Sequence, residues 1–377
     1  MKLAVVRGKF LNQYEMQSFV PLADRYDITA FSSLTPFHNT FPFPVVTCPS
    51  LMDVPEFPMK MQILNRLFID AQYLFGLERK LKGFDIVHTA ETYYHYTQQC
   101  LQAKKKGYVK KVVATVLENI PFNNESIWGR KGFKRRSRNE LDHIIALTEK
   151  TKTALLLEGA DPKKITVIGH GIDTKRFTPT RDHWKQLADQ RHTIIILFSG
   201  RLEEYKGVFD VLKAATLLLK DRTISQPLRF VFAGKGSTYH RMQQKEKEYG
   251  IQNRIKHMSV PYEEMPGVYR RADIFVAPST STKTWSEQYC TALLEAQSMG
   301  LPIVTTKSGG IPENVGDCAL FCKEGDPVSL FLQIKKFIDN PSLRLFYGQK
   351  ARKRARDIHD IQIIAKKLDR VYQKVLI

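Results

Sequence analysis

PSTSTKTWSEQYCTALLEAQSMGLPIVTTKSGG, residues 278–310, is the stretch from which the rest of the chain is read. It opens on loop residues, Pro278 and a run of Ser and Thr. The spacing then predicts an amphipathic helix over about 288–299, stopped by Gly300 and Pro302. A short apolar strand over 301–305 and a turn at Ser308-Gly309-Gly310 follow. Glu287 stands just before the helix and Glu295 within it. That spacing separates the carboxylates by roughly 12 Å along a helix axis, too far for both to act on one atom. It suits two carboxylates holding different parts of one elongated polar ligand. Between them lies a helix N-terminus, whose free N–H groups and partial positive charge attract anions. A long ligand with hydroxyls at both ends and phosphate in the middle is a nucleotide sugar. Two solvated helix charges would show the same spacing, so the surrounding chain decides between these readings.

Before this stretch, apolar runs alternate with helical patterns. In the second half, strands are predicted at 193–198, 228–233, 255–258 and 274–277, with helices at 207–219, 238–249 and 263–271 between them. In the first half, strands are predicted at 3–6, 28–31, 45–48, 84–88, 111–117, 144–147 and 165–168. A long helix is expected over 61–81, with Ile63, Leu67, Tyr73, Leu74, Leu77 and Leu81 on its apolar side. Residues 170–189 are polar, contain Pro179 and break the rhythm, as a linker would. Such alternation implies an α/β fold with two doubly wound parallel sheets.

In such sheets ligands lie at the carboxyl ends of strands. Arg7-Gly8-Lys9 follows the first strand, and His88, Glu91 and Glu118 follow two others. In the second half, Ser199-Gly200-Arg201 follows a strand and leads to Lys206-Gly207, and Ala233-Gly234-Lys235-Gly236 follows the next. Two cations five residues apart can clamp a diphosphate, and Gly lets backbone approach a ligand. Neither a dinucleotide fingerprint nor a P-loop pattern is present.

The chain of 377 residues carries a formal charge of +20. Residues 101–140 hold 11 basic against 3 acidic residues, interleaved with Tyr108, Phe122, Trp128 and Phe133, and residues 335–377 form a second basic zone. A clustered positive field implies a polyanionic partner such as anionic lipid. Nucleic acid would also fit the charge, but no recognised nucleic-acid motif accompanies it and the glutamate pair would be idle. The five cysteines are odd in number and scattered, as buried thiols in a reducing cytoplasm would be. Cys318 and Cys322 lack the second pair of ligands that a zinc site needs. No apolar run is long enough to span a bilayer, and the N-terminus reads as a first strand.

These motifs together resemble those of the family 4 retaining glycosyltransferases of GT-B fold. The resemblance is carried by Ile168-Gly169-His170-Gly171-Ile172-Asp173 with Phe177, by Gly200-Arg201-Leu202 with Lys206-Gly207, and by Phe232-Ala233-Gly234-Lys235-Gly236. Ala272-Asp273 with Pro278-Ser279, the Glu287/Glu295 pair and Gly309-Gly310-Ile311-Pro312-Glu313 complete it. The resemblance implies two Rossmann-like domains facing a central cleft. They would be an acceptor-binding domain over 1–178 and a donor-binding domain over 179–357, with a last helix at about 358–377 returning to the first. It implies transfer of a hexosyl unit from a nucleotide sugar, with UDP-sugar favoured and GDP-mannose a second option, to a lipid-linked, glycan or small-molecule acceptor. Arg201 and Lys206 would hold the diphosphate together with Gly200, Gly234 and Lys235. Glu295 would bind the ribose, Glu287 the transferred sugar, and the backbone of Gln288, Tyr289 and Cys290 would offer N–H groups. His88 would face the sugar or acceptor as a catalytic group, and Gly8, Lys9, Glu91 and Glu118 are acceptor-side candidates. No metal or other cofactor is implied. A cytoplasmic enzyme, peripheral on the membrane through residues 101–140, is the expected setting. Two departures stand out: a single Gly8 where the family has a Gly-rich pair, and Cys290 where it commonly has Gly. A sugar-nucleotide epimerase on the same fold and a basic nucleic-acid-binding protein remain as alternatives.

Overall fold

The apolar runs form two wholly parallel sheets in a computed structural model that describes residues 1–189 and 193–377. Strands β1 (Lys2–Gly8), β2 (Asp27–Ser32), β3 (Val45–Thr47), β4 (Phe84–Ala90), β5 (Val109–Val116), β6 (His143–Ala146) and β7 (Ile165–Val167) make the first. Their order is β3-β2-β1-β4-β5-β6-β7. Strands β8 (Ile194–Ser199), β9 (Leu228–Ala233), β10 (Ile255–Met258), β11 (Ile274–Ala277), β12 (Ile303–Thr305) and β13 (Ala319–Phe321) make the second, in the order β10-β9-β8-β11-β12-β13. Each order reverses once, between β1 and β4 and between β8 and β11. That is the doubly wound pattern whose ligands sit beyond the carboxyl ends at the reversal. Both faces of each sheet are covered, which is why β8 and β11 read as near-continuous apolar runs.

Five helices carry or flank the functional candidates: α1 (Lys60–Phe68), α2 (His95–Lys105), α3 (Arg130–Glu140), α4 (Thr291–Ser298) and α5 (Ile361–Leu376). The chain divides into two units, Met1–Gly171 with Ile361–Ile377, and Ile172–Asp360. The first therefore includes α5, whose Ile364, Leu368, Val371 and Tyr372 are buried with Leu3, Val5 and Phe19. A π-helical turn, Ala355–His359, precedes α5. The expected division at 178/179 lies inside the second unit. There the Ile172 N–H donates to the His359 carbonyl at 2.7 Å, and Phe177 is fully buried against Tyr262 and Tyr269.

The single helix expected over 61–81 is two helices, α1 and the short Leu77–Lys80. Ile69 ends α1 with φ +65 and Gly76 starts the second with φ +79. Between them the Asp70 carboxylate accepts the backbone N–H groups of Gln72 (3.2 Å) and His95 (2.8 Å) and pairs with Arg130 (3.2 Å). These bonds replace the helical ones. Among the described residues no helix is long and apolar enough to cross a membrane.

Candidate active site

In the second unit the strand ends at the sheet reversal carry a polar cluster. A 3-10 turn, Glu204–Lys206, follows β8 and brings Lys206 Nζ to 2.6 Å from Glu287 Oε2. The Ser279 hydroxyl, just beyond β11, donates to the same oxygen at 2.8 Å. The Trp285 ring lies 5.2 Å from Lys206 Nζ and 4.2 Å from the Tyr205 ring, so an aromatic wall screens the pair. Arg201 is exposed and stacks over Tyr205 at 5.4 Å. Buried Glu287 is fixed from behind by its own backbone. Its carbonyl accepts the Gly310 N–H at 2.8 Å, and a Cβ at Gly309 (φ +53) would lie 1.8 Å from that carbonyl oxygen.

Glu295 lies on the buried side of α4, where Tyr269 donates its hydroxyl to Oε2 at 2.6 Å. Burial pushes its carboxyl up to about 7, while bonds from Tyr269 and Tyr262 and the Arg176 charge pull the other way. Arg176 is held over the Tyr262 ring at 4.5 Å. The two glutamates thus meet different surroundings: Glu287 a cation, Glu295 tyrosine hydroxyls.

The helix between them starts at Thr291, three residues later than the pattern predicts. Cys290 caps it with φ +59 and ψ 80, the left-handed region that Gly adopts freely. Cys290 thus stands in a backbone conformation that suits Gly. Burial raises the Cys290 thiol to about 12. Tyr289 turns its side chain inward, with its hydroxyl 3.4 Å from His359 Nδ1, so only its backbone faces the cluster. Asn314 Nδ2 donates to the carbonyls of Tyr289 and Cys290 and pins the segment. Gln288 is half-buried. Gly234 has a packing reason to be glycine. A Cβ at Gly234 (φ +154) would lie 1.9 Å from the Gly200 carbonyl oxygen, so the two turns pack directly on each other. Lys235 is exposed, and its carbonyl accepts the Leu202 N–H at 2.8 Å.

In the first unit the candidates separate. His88 does not follow a strand but lies inside β4, fully buried. Its Nδ1 meets the Tyr372 hydroxyl at 2.5 Å and its Nε2 the Thr115 hydroxyl at 2.7 Å. Burial first, and Arg7 second, hold it well below the usual histidine range. The expectation that it follows the strand is therefore corrected: the strand runs two residues beyond it, and both ring nitrogens have partners. Glu91 does follow β4, in the left-handed region (φ +60), and is buried. Its Oε1 accepts the N–H groups of Leu117 (2.9 Å) and Glu118 (3.2 Å), Oε2 has no partner, and burial raises the carboxyl to about 8. Glu118, half-buried, accepts from the Ile120 N–H (3.0 Å) and Asn123 Nδ2 (2.8 Å), and burial raises it as well. Gly8 ends β1, and Lys9 Nζ donates to the Thr35 hydroxyl at 2.7 Å. Arg7, passed over as a loop residue, is buried, pairs with Glu15 at 2.7 Å and donates to the His88 carbonyl at 3.0 Å. Of the residues missed in the second unit, Ser279 in its bonding role and Trp285 lie in the stretch 278–310 itself, while Tyr269 and Asn314 come from segments on either side, and nothing in their spacing marks them.

The profile described as glycosyl transferases group 1 matches residues 180–354, and that of glycosyltransferase family 4 matches residues 22–176. D-inositol 3-phosphate glycosyltransferases of Corynebacterium aurimucosum and Corynebacterium jeikeium are 29% and 33% identical over 223 and 235 residues. These matches take in 55% and 58% of this chain and 51% and 54% of those proteins, so the chain spans about half the length of these curated relatives. An uncharacterized glycosyltransferase of Methanocaldococcus jannaschii is 23% identical over 369 residues, 94% of this chain and 91% of that protein. Among solved structures, Anabaena HepE in complex with UDP and glucose superposes with a TM-score of 0.76 at 16% identity, covering 99% of this chain and 100% of that one. Sucrose-phosphate synthase of Thermosynechococcus elongatus gives 0.77 at 17%, covering 99% and 98%. At such identities these two likenesses speak for the fold.

Proposed function

Because the chain belongs to the family 4, group 1 glycosyltransferases, we propose that it moves a hexosyl unit, with retention, from a UDP-sugar to a hydroxyl of a lipid-linked or glycan acceptor. The observation that carries this reading is the Lys206–Glu287–Ser279 cluster at the sheet reversal, with Glu295 on the following helix α4 bonded to Tyr269 from a separate segment. In the proposed donor complex Glu295 takes the ribose hydroxyls. Glu287 turns from Lys206 to hydroxyls of the transferred sugar, which frees Lys206 for the β-phosphate, with Arg201 beside it. The bond from the anomeric carbon to the phosphate oxygen breaks, and the acceptor oxygen bonds to that carbon on the same face. The acceptor proton passes to the departing phosphate, so no protein base is required. The charge that develops on the nucleoside diphosphate is met by Lys206, Arg201 and backbone N–H groups around Gln288. No metal takes part in this proposal. Acceptor contacts are assigned to Gly8, Lys9, Glu91 and Glu118. The proposed setting is the cytoplasmic face of a membrane.

Thermal shift against a panel of nucleotide sugars tests the donor, since a ligand at 100 times its Kd stabilises by about 2.7 kcal/mol. A shift with UDP-sugars and none with GDP-mannose is expected; a shift with GDP-mannose alone overturns the choice of base. Incubation with donor alone separates transfer from epimerisation, because an epimerase would change the sugar without any acceptor.

A further inference from the structure

The first unit exposes an apolar face that the packing does not use. In α1 only Lys60 and Leu64 are buried. Met59, Ile63 and Leu67 recur every four residues on the outer side, and Leu67 is 69% exposed. Phe68 and Phe75 are exposed beside them, and Trp128, just before α3, is 80% exposed. The two segments meet. Arg130 Nε donates to the Ile69 carbonyl at 3.0 Å, and a Cβ at Gly129 would lie 2.6 Å from Ile69 Cδ1, so the end of α1 abuts the start of α3. A ring ladder, Phe75–Tyr73–His95–Phe133, with centroids 5.0, 4.8 and 5.2 Å apart, runs from the segment after α1 across α2 to α3.

The basic helix α3 is divided between two faces. Arg130 and Lys134, four residues apart, point inward, where Arg130 pairs with Asp70 and Lys134 with Glu158. Those two cations, counted by sequence in the outward basic zone, are structural. Lys131 and Arg135, also four apart, are exposed, as is Arg66 of α1. The neighbouring Lys60 is buried and paired with Glu56. Large apolar groups are therefore rimmed by unneutralised cations.

Three kinds of partner meet such a face differently. In a symmetric pair with a second copy, the same cations would oppose each other. A nucleic acid would meet the charges but has no use for Met59, Ile63 and Leu67. A bilayer with anionic lipid offers both an apolar interior and a negative surface. We propose that α1 together with the Trp128 corner of α3 is a membrane-docking face. Ile63, Leu67, Phe68 and Trp128 enter the boundary between headgroups and acyl chains, while Arg66, Lys131 and Arg135 meet anionic headgroups. This deepens the proposed function, on which it rests only for the lipid-linked acceptor.

The test is co-flotation of the full chain with vesicles of phosphatidylcholine alone or mixed equally with phosphatidylglycerol. The wild-type chain is expected to float with the mixed vesicles only. Lys131→Glu/Arg135→Glu should lower the bound-to-free ratio at least about 25-fold, at about fivefold per cation. Leu67→Gln/Trp128→Ser should abolish flotation; because Trp128 is so exposed, Trp128→Ser alone serves if the double variant fails to melt cooperatively. The shift in melting temperature given by UDP should be the same in every variant, so loss of flotation with an intact shift separates this face from the donor site. The proposal is overturned by equal wild-type recovery from both vesicle types, by no flotation at all, or by Leu67→Gln/Trp128→Ser floating like the wild type. A wild-type dimer in light scattering that this variant dissolves, with no flotation, would assign the face to a second copy and overturn it too.

Discussion

Replacing Cys290 by Gly and by Ala tests whether the loop between the two glutamates is held in a conformation that suits Gly. At φ +59 a side chain crowds its own backbone, at roughly 1–2 kcal/mol for a residue other than Gly. Gly escapes that penalty but gives the unfolded chain about 0.4–1 kcal/mol more freedom. Both substitutions remove the half-buried thiol, so the difference between them isolates the backbone. The net favours Cys290→Gly over Cys290→Ala by about 0.5–1 kcal/mol. For a unit the size of Ile172–Asp360 this is a Tm difference of about 1–4 °C. Scanning calorimetry of the two variants, with UDP added to identify the transition of the donor unit, reads it directly. If Cys290→Ala melts at or above Cys290→Gly, the backbone is not strained at this position.

Glu295 makes nucleotide binding depend on pH. Burial raises its folded pKa to about 7, above the unfolded carboxyl value, so the folded state holds a proton that the unfolded state has lost. Stability from this group therefore declines as pH rises from about 4.5 to about 7 and then levels. A ribose hydroxyl donates best to the carboxylate, so UDP affinity by titration calorimetry should rise between about pH 6 and 8 with proton release, and Glu295→Gln should flatten that dependence. A wild-type profile that is already flat contradicts the assignment. Glu91, raised to about 8, has the same sign: Glu91→Gln should gain on the wild type in chemical denaturation as pH rises from about 4.5 to 8, and no change in the gap would show that Glu91 is ionised in the fold. Lys134→Met should destabilise the first unit by about 3–5 kcal/mol, because it leaves buried Glu158 with only Arg138 and the Phe122 N–H; a loss under about 1 kcal/mol would place Lys134 among solvated surface cations.

The sheet architecture and one contact of the candidate site were legible in the sequence. The parallel alternation and the pairing of Arg201/Lys206 with Glu287/Glu295 follow from local spacing, and the structure brings Lys206 and Glu287 into contact across 81 residues. What local spacing cannot carry is the direction of a side chain. Tyr289 and Cys290 are adjacent, yet one turns to His359 and the other caps α4. His88 looked like a strand-end residue because the polar cluster His88-Thr89-Ala90-Glu91 breaks the apolar run, while hydrogen bonding to β5 continues through Ala90. The helix over 61–81 looked continuous because Ile63, Leu67, Leu74 and Leu81 keep a helical period. Asp70 interrupts it through partners far away in sequence, His95 and Arg130. The same interruption leaves α1 with its apolar side outward.

The most direct test is titration calorimetry of UDP into the wild type, Lys206→Ala and Glu295→Ala, each shown to be folded by its own melting transition. The donor-site assignment predicts that the wild type binds UDP. Each variant should bind about 10–100-fold more weakly, the loss of one hydrogen bond to a charged group at about 1.5–3 kcal/mol. Wild-type affinity in both variants would contradict it.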